Sequence, residues 1–329
     1  MLALARCYRA AGGLRRPAAA QTRGLHVLRS IGELRDWRKG RQGDVGLVPT
    51  MGALHEGHIS LLHRARQECD SIICSIFVNP TQFGPRDDLD KYPRTIESDL
   101  AALEAAGADA AFLPNAADMY PDDSPSRRFA IQIPDGMGPN AESAESTARP
   151  GHFGGVATVC AKLFNLTNPT RAYFGQKDAM QCVVIRRLVK DLDFDVQIVV
   201  AETLRAEDGL ALSSRNAYLT PVERAAAPVV YRCLEAARAA WLAWSSRQPV
   251  PSEPVPSDFL VSAAKRVLAT EPLVGRIEYI SVGCYDTMRE LASVPAPDGA
   301  APAGIVSIAL RLGNVRLIDN LPLTRASGH

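Results

Sequence analysis

The sequence predicts an α/β protein in which a doubly wound parallel sheet is followed by a smaller C-terminal α+β domain. Two observations predict this fold class. From Val45 onward, short apolar runs alternate with stretches of helical periodicity, the pattern of a parallel sheet with crossover helices. Ile72–Val78 is almost continuously apolar, as expected for a strand covered on both faces. Because such sheets bind ligands at the carboxyl ends of their strands, the loops that follow the strands become the candidate site.

The larger predicted domain spans residues 26–204. Its helices show apolar residues on one side, as Ile59, Leu62 and Ala65 do in the first of them, and its strands are short and apolar. In chain order, the predicted elements are strand Val45–Pro49, a helix near His58–Cys69, strand Ile72–Val78, helix Thr95–Ala106, strand Ala110–Leu113, helix Gly155–Leu166, strand Arg171–Phe174, helix Lys177–Leu192 and strand Val196–Val200.

In the remainder, residues 205–329, helices and strands no longer alternate, because predicted helices come first and predicted strands follow. This order predicts a small α+β domain. A proline-rich stretch, Pro249–Pro256, predicts a stiff surface loop between two helices. The predicted elements are helices Pro221–Trp244 and Ser257–Thr270, followed by strands Ile277–Val282, Ile305–Leu310 and Val315–Leu317.

Composition and charge exclude several classes of protein. A chain of 329 residues with 47% hydrophobic and 22% charged residues is typical of a globular protein. No apolar run approaches the ~18 residues that a membrane-spanning helix needs. The net charge is +1, but residues 1–30 hold six arginines and no acid, so the rest carries −5 and has no general attraction for nucleic acid. Seven scattered cysteines without a C-x-x-C pair indicate neither a disulfide framework nor a zinc site, and predict an intracellular protein.

Residues 1–25 are considered apart from the fold. They are rich in arginine and alanine, lack acids, and contain no apolar core of a secretory signal. This composition predicts a transit peptide and a mitochondrial location. The alternative is a disordered extension without a targeting role, which would leave the protein in the cytoplasm.

The stretch Pro49–His58 (PTMGALHEGH) follows a predicted strand and opens a predicted helix. Gly52 and Gly57 carry no Cβ, so the backbone can approach a ligand closely, and a helix N-terminus offers unpaired N–H groups to a phosphate. His55 and His58 can point at the same phosphates, and a charged or donating imidazole stabilises a pentacoordinate α-phosphate. A metal-binding histidine pair is the alternative, but no third ligand lies nearby. The pattern therefore predicts a nucleotide site and leaves any metal ligands unknown.

The same stretch resembles a known family. His55-x-Gly57-His58 is similar to the H-x-G-H signature of the nucleotidyltransferase superfamily, and the longer string TMGALHEGH resembles the pantoate–β-alanine ligases. Further stretches resemble that family in its order and at compatible spacing, so that the resemblance covers roughly residues 26–320. These stretches are Ser75–Gly84 (SIFVNPTQFG), Arg149–Phe153 (RPGHF) through Tyr173–Asp178 (YFGQKD), and Glu207–Asn216 (EDGLALSSRN).

The resemblance implies a Rossmann-like fold and a two-step reaction. ATP and (R)-pantoate form pantoyl adenylate and pyrophosphate, and the amine of β-alanine then displaces AMP to give pantothenate. The resemblance also implies Mg²⁺ with ATP and a homodimer whose small domains act as lids. It makes His58 the catalytic residue, and it places Met51, Gly52, His55 and Gly57 on ATP together with His58.

Two amide residues follow the second predicted strand. Asn79 and Gln82 lie beside the end of the first strand in a β-α-β unit, where amides can bond hydroxyls and a carboxylate without adding charge that repels ATP. In isolation, Asn-Pro-x-Gln is typical of a capped surface turn. By resemblance, Gln82 contacts pantoate and β-alanine, and we expect Asn79 to belong to the same substrate-binding group.

Gly175–Asp178 (GQKD) occupies the same position, between a strand and a helix. Lys177 can reach phosphate oxygens as a point charge, and its spacing from Asp178 and Gln181 puts all three on one helical face. The alternative is a capping cluster on a solvated helix. The resemblance places residues 175–178 on ATP and Gln181 on pantoate, although this chain has Gln176 where the family usually has glutamate.

A third candidate segment, Leu212–Arg215, resembles the family's M-S-S-R, which closes over the triphosphate. The hydroxyls of Ser213 and Ser214 and the guanidinium of Arg215 suit developing pyrophosphate charge. Leu204 falls where the family uses an apolar residue whose backbone faces adenine.

Arg149 and His152 are ambiguous, because they precede a predicted helix and can either line the site or cap that helix.

Other functions remain as alternatives. An adenylyltransferase of the same superfamily would need basic residues for an acceptor phosphate, where this chain has the amides Asn79, Gln82 and Gln181. A tRNA synthetase is disfavoured by the net charge of −5 outside residues 1–30 and by the lack of an anticodon-binding region. A non-catalytic binding module would tolerate loss of His58 or Lys177, yet both are present. We therefore expect small-molecule substrates, and neither nucleic acid nor membrane as a partner.

Overall fold

The computed structural model describes residues 24–85, 87–121, 129–133, 143–244, 253–297 and 301–325. The predicted transit peptide therefore lies outside the described residues, apart from its last two positions. Part of the predicted proline-rich loop lies outside them as well. Within the described ranges, no helix has the length and apolar character needed to cross a membrane.

The first part of the chain forms a six-stranded parallel sheet, which confirms the predicted fold class. The strands lie side by side in the order β1-β4-β3-β2-β5-β6. From β2, therefore, the chain builds one half of the sheet through β3 and β4, and the other half through β5 and β6. The strands are β1 (His26–Leu28), β2 (Val45–Thr50), β3 (Ser71–Ile76), β4 (Ala110–Phe112), β5 (Arg171–Gly175) and β6 (Gln197–Ala201).

Helices cover both faces of this sheet. On one face, α2 and α3 pack through buried leucines such as Leu62 and Leu103. On the other face, α1, α6 and α7 pack through residues such as Leu34 and Ile185. The helices are α1 (Ile31–Lys39), α2 (Glu56–Glu68), α3 (Ile96–Ala105), α4 (Ala116–Met119), α5 (Ala144–Ala148), α6 (His152–Thr167) and α7 (Ala179–Asp191).

The second part of the chain packs around its own apolar core, centred on Trp241 and Leu234. Its main sheet is antiparallel, in the order β11-β10-β8, and a short β7-β9 pair lies beside it. The elements are α8 (Pro221–Ala226), α9 (Val229–Trp244), β7 (Val255–Pro256), α10 (Ser257–Leu268), β8 (Val274–Gly283), β9 (Ser293–Val294), β10 (Ile305–Leu312) and β11 (Val315–Pro322). The division at residues 204 and 205 stays a prediction.

The structure corrects one helix. The prediction of a single helix over Pro221–Trp244 is wrong, because α8 ends at Ala226 and α9 begins at Val229. Pro228 lies between them and has no N–H to donate to the preceding turn, so a continuous helix would lose a hydrogen bond and meet a steric clash there.

Candidate active site

The site lies where the order of the parallel strands reverses, at the carboxyl ends of β2 and β5. This is the position at which open α/β sheets bind ligands. A cavity of about 210 Å³ opens there, and it is bounded by the loops after β2, β3, β5 and β6. All the sequence-predicted site residues except Gly52 and Gln176 line it: Met51, His55, Gly57, His58, Asn79, Gln82, Gly175, Lys177, Asp178, Gln181, Leu204, Leu212, Ser213, Ser214 and Arg215.

The loop between β2 and α2 is held in an unusual backbone conformation. Gly52 and Ala53 both have positive φ, at 83° and 50°, which is costly for alanine. Asp99 of α3 stabilises the loop, because its two carboxylate oxygens accept hydrogen bonds from the N–H groups of Ala53 (3.0 Å) and Leu54 (2.8 Å). Sequence reasoning missed Asp99. Asp99 is buried in α3, but its local sequence gives no signal of this role.

The two histidines at the start of α2 present the same nitrogen to the cavity. Nδ1 of His55 accepts a hydrogen bond from the Gly57 N–H (3.1 Å), and Nδ1 of His58 accepts one from the His55 N–H (3.4 Å). A neutral imidazole with Nδ1 as acceptor carries its proton on Nε2. The ring centroids are 4.1 Å apart, so the cavity receives two adjacent Nε2–H donors.

Burial keeps both rings neutral. Desolvation, assisted by the cation Lys177, lowers the pKa of His55 to about 4. Desolvation and the neighbouring His55 lower the pKa of His58 to about 3. Of the two forms expected from sequence, charged or donating, the structure therefore provides the neutral donor.

These pKa values predict how stability depends on pH. The unfolded chain has histidine pKa values near 6.5, so between about pH 4 and 6.5 it binds more protons than the folded protein does. The free energy of unfolding is therefore highest above pH 6.5. It falls as the pH is lowered, by about 1.4 kcal/mol per pH unit for each histidine. Urea unfolding at pH 5, 6 and 7.5 should show this slope, and His58→Gln should reduce it. An unchanged slope in that variant would contradict the assignment.

Asn79 orients Gln82. The Asn79 Nδ2 group donates to Gln82 Oε1 (3.0 Å) and to the Gly155 carbonyl (3.2 Å), while Asn79 Oδ1 accepts from the Tyr120 hydroxyl (2.8 Å). Asn79 is only 1% exposed. With its oxygen bound in this way, Gln82 can turn its Nε2 donors towards the cavity, beside the Met51 sulfur (3.2 Å). A direct contact of Asn79 with substrate stays a prediction; the structure shows that it fixes the amide of its neighbour.

Gly155 allows α6 to approach this turn. A Cβ at position 155 would collide with the Thr81 carbonyl and with Cα of Gln82, which it would meet at 2.7 Å. A side chain here would therefore displace the backbone that carries Gln82. No local sequence signal indicates this role.

Arg149 and His152 line the cavity rather than cap α6, whose N-cap is Gly151. His152 Nδ1 donates to the Gln82 carbonyl (2.6 Å), and Arg149 donates to His152 Nε2 (2.9 Å) and to Asp87 (3.0 Å). Desolvation and then Arg149 lower the pKa of His152 to about 3, which keeps the ring neutral. The group supports the turn that carries Gln82 from a second side.

Lys177 lies in a short 3-10 turn, Gln176–Asp178, that joins β5 to α7. Its ammonium lies 3.9 Å from the Asp178 carboxylate, and its side chain is 18% exposed. Gln181, in the first turn of α7, faces the same cavity. The side chain of Gln176 is directed elsewhere: its Nε2 donates to Asn320 Oδ1 (3.3 Å) on β11.

The Leu212–Arg215 segment closes the opposite wall. Leu212 is tied to Leu204 by a backbone hydrogen bond from its N–H to the Leu204 carbonyl (3.0 Å). The Arg215 guanidinium donates to both oxygens of Asp88 (2.9 and 3.0 Å), and Ser214 shares a hydrogen bond with the Tyr92 hydroxyl (3.0 Å). A second cavity of about 450 Å³ lies beyond Arg215, between this segment and β11, and it too is lined by Lys177.

The comparisons with known proteins agree with this geometry. Residues 26–322 match the model of the family described as pantoate-beta-alanine ligase. A pantothenate synthetase of Roseiflexus castenholzii is 48% identical over 296 residues, which cover 90% of this chain and 98% of the relative.

Two solved structures extend the likeness to the fold. Pantothenate synthetase from Thermus thermophilus has a TM-score of 0.79 and 40% identity, covering 92% of this chain and 100% of that one. Pantoate-beta-alanine ligase from Francisella tularensis, in complex with beta-gamma ATP and beta-alanine, has a TM-score of 0.70 and 31% identity, covering 91% of this chain and 98% of that one. The chain therefore belongs to the pantoate-beta-alanine ligase family.

Proposed function

We propose that the cavity catalyses the ATP-dependent condensation of (R)-pantoate with β-alanine to pantothenate, through pantoyl adenylate. One observation carries the proposal: two neutral imidazoles present adjacent Nε2–H donors at the strand switch point, in a cavity that Lys177 and the amide of Gln82 also line. Donors suited to phosphate and donors suited to a carboxylate thus share one cavity. The complex of the Francisella tularensis relative with beta-gamma ATP and beta-alanine supports the same substrates.

In the first step, a carboxylate oxygen of pantoate attacks the α-phosphorus of ATP. The bond from that phosphorus to the β-phosphate oxygen breaks, and pyrophosphate leaves with the electron pair. His58, with His55 beside it, donates to the α-phosphate oxygens as their negative charge grows. Lys177 and Arg215 neutralise the departing pyrophosphate.

Pantoate binds on the side of the amides. Gln82 Nε2 is a donor without charge, and Gln181 adds a second amide from α7. Amides can hold the pantoate carboxylate and hydroxyls without forming a salt bridge that would quench the attacking oxygen.

In the second step, the unprotonated amine of β-alanine attacks the acyl carbon of the adenylate. The bond from this carbon to the AMP oxygen breaks, AMP leaves with the electron pair, and the nitrogen passes one proton to water. The donors that stabilised the α-phosphate in the first step also stabilise the phosphate of the departing AMP.

Mg²⁺ is proposed as a companion of ATP rather than as a resident metal. Among the residues that the structure describes, no group of three or more His, Cys, Asp or Glu side chains could hold a metal ion. Mg²⁺ is commonly held by one or two carboxylates together with substrate phosphates and water. Asp178 supplies a carboxylate to the cavity, next to Lys177. When bound, the ion neutralises triphosphate charge.

Two further properties are proposed from the sequence. The family resemblance supports a homodimer, which light scattering would test. The arginine-rich, acid-free residues 1–25 support import into mitochondria. A reporter fused to residues 1–30 should reach mitochondria, and a diffuse signal would instead favour the cytoplasm.

The products of the reaction test the function directly. The protein is incubated with ATP, Mg²⁺, pantoate and β-alanine, and the nucleotides and pantothenate are separated by chromatography. We expect AMP and pantothenate in equal amounts, and AMP only when β-alanine is present. ADP as product, or AMP retained on an acceptor phosphate as in an adenylyltransferase, would contradict the proposal.

The pantoate contact can be tested at Gln82. Gln82→Ala should raise KM for pantoate by about tenfold or more and leave KM for ATP nearly unchanged, because the amide bonds the acid and not the nucleotide. Steady-state kinetics with each substrate varied separately will measure both constants. Equal losses for the two substrates would show that the turn has collapsed or that the assignment is wrong.

A further inference from the structure

A buried asparagine of the small domain holds the turn that carries Lys177. Asn320, on β11, donates through Nδ2 to the Gln176 carbonyl (3.0 Å) and to the Lys177 carbonyl (2.9 Å). Its Oδ1 accepts from Gln176 Nε2 (3.3 Å), and the residue is 3% exposed. Both N–H groups and the oxygen of this amide are therefore hydrogen-bonded to Gln176 and Lys177, two consecutive residues of the turn between β5 and α7.

The turn has little support of its own. Its N-cap, Gly175, has no side chain, and Asp178, the N-cap of α7, makes no side-chain capping hydrogen bond. The other side-chain contacts are weak or long: Cys182 Sγ donates to the Gly175 carbonyl (3.4 Å), and the Tyr285 hydroxyl donates to Gln176 Oε1 (3.5 Å). Asn320 bonds the backbone carbonyls of Gln176 and Lys177 directly, and so fixes the direction of the backbone at both residues.

Asn320 is itself held in place by its neighbour Asp319 and by Arg205. The neighbouring Asp319, whose side chain is buried, accepts two hydrogen bonds from the Arg205 guanidinium (2.6 and 3.0 Å). Arg205 also donates to the Asn320 carbonyl (3.3 Å), and it stacks on the Tyr231 ring at 4.0 Å. Since Arg205 directly follows Leu204 of the cavity wall, one rigid group connects β11, the wall and the Lys177 turn.

We propose that Asn320 is a positioning residue for the first half-reaction, which sets the Lys177 ammonium against the β- and γ-phosphates of ATP. It touches neither substrate, and it acts through the backbone of Gln176 and Lys177. This role rests on the proposed function. It predicts that losing Asn320 weakens ATP binding and adenylate formation, and leaves unchanged the attack of β-alanine on pantoyl adenylate, which involves no pyrophosphate.

Asn320→Asp tests the role with a side chain of the same shape, which has no donor and sets a carboxylate against two carbonyls. We expect KM for ATP to rise about tenfold or more, while KM for pantoate and the rate of pantothenate formation from isolated pantoyl adenylate stay within about twofold. Asn115→Asp is the matched control, because Asn115 is an exposed N-cap of α4 whose side chain accepts from the Asp118 N–H. Its kinetics should equal those of the unmodified chain.

A double variant separates positioning from general destabilisation. If Asn320 acts only through Lys177, Lys177→Ala with Asn320→Asp should be no slower in pyrophosphate release than Lys177→Ala alone, within about twofold. Should Asn320→Asp fail to fold, Asn320→Ala, which removes the donors without adding charge, enters the same comparisons.

Three results would overturn the proposal: an unchanged KM for ATP in the Asn320 variants, equal losses in both half-reactions, or a full additional loss on top of Lys177→Ala. If the unmodified chain releases no pyrophosphate from ATP and pantoate, the proposed function fails instead, so the two failures are distinguishable.

Discussion

His58→Ala is expected to slow pyrophosphate release from ATP and pantoate by about 10²-fold or more, because it removes a preorganised donor from the α-phosphate. The neutral state of the ring sharpens this expectation. A neutral donor is replaceable in part by another neutral donor, so His58→Gln should recover some of the lost rate. Rapid-quench measurement of pyrophosphate in the absence of β-alanine isolates this step.

His63→Ala is the matched control for this change. His63 is an exposed residue of the same helix, outside the cavity, so its loss should leave the rate unchanged. A His58→Ala variant with near-normal pyrophosphate release would remove His58 from the mechanism. Equal recovery by glutamine and leucine at position 58 would show that volume, not hydrogen bonding, matters there.

Lys177→Ala should have a comparable effect, with a larger part of it in ATP affinity. The ammonium is the cation on the β5–α7 turn that faces the cavity. We expect KM for ATP to rise about tenfold or more and adenylate formation to slow by about 10²-fold. The second half-reaction, started from isolated pantoyl adenylate, should proceed at the normal rate.

Lys190→Ala is the matched control for this change. It removes one positive charge, as Lys177→Ala does, but from the exposed last turn of α7, outside the cavity. It should match the unmodified chain in both half-reactions. If Lys190→Ala weakens ATP binding as much as Lys177→Ala does, the effect belongs to net charge rather than to a phosphate contact.

Local sequence signals were sufficient for five of the six strands of the parallel sheet, β2 to β6, and for most of the residues that face the cavity. His58 lies in the first turn of the helix that follows an apolar strand, and Lys177 lies between such a strand and its helix, so the sequence shows both their position near a strand end and their chemistry. The same local reasoning left out β1 and α1. Strand β1 has only three residues, and α1 buries only Leu34 and Trp37, so neither produces a strong periodic pattern.

The residues that support the site could not be predicted in this way. Asp99 lies 46 positions from the loop that it holds, and Asn320 lies 144 positions from Gln176. Gly155 is recognisable only once the turn packed against it is known. Their roles depend on which elements the fold brings together, and a single sequence carries no pattern at such separations. The neutral histidines are a similar case, because burial sets their pKa values.

The central claim is that the pantoate carboxylate attacks the α-phosphate to form an acyl adenylate. Pantoate labelled with oxygen-18 in its carboxylate tests this claim directly, since the attacking oxygen stays on phosphorus when β-alanine displaces AMP. After complete reaction with ATP and β-alanine, mass spectrometry should find one labelled oxygen in AMP and none in pyrophosphate. Unlabelled AMP, or label in inorganic phosphate together with ADP, would contradict the adenylate route.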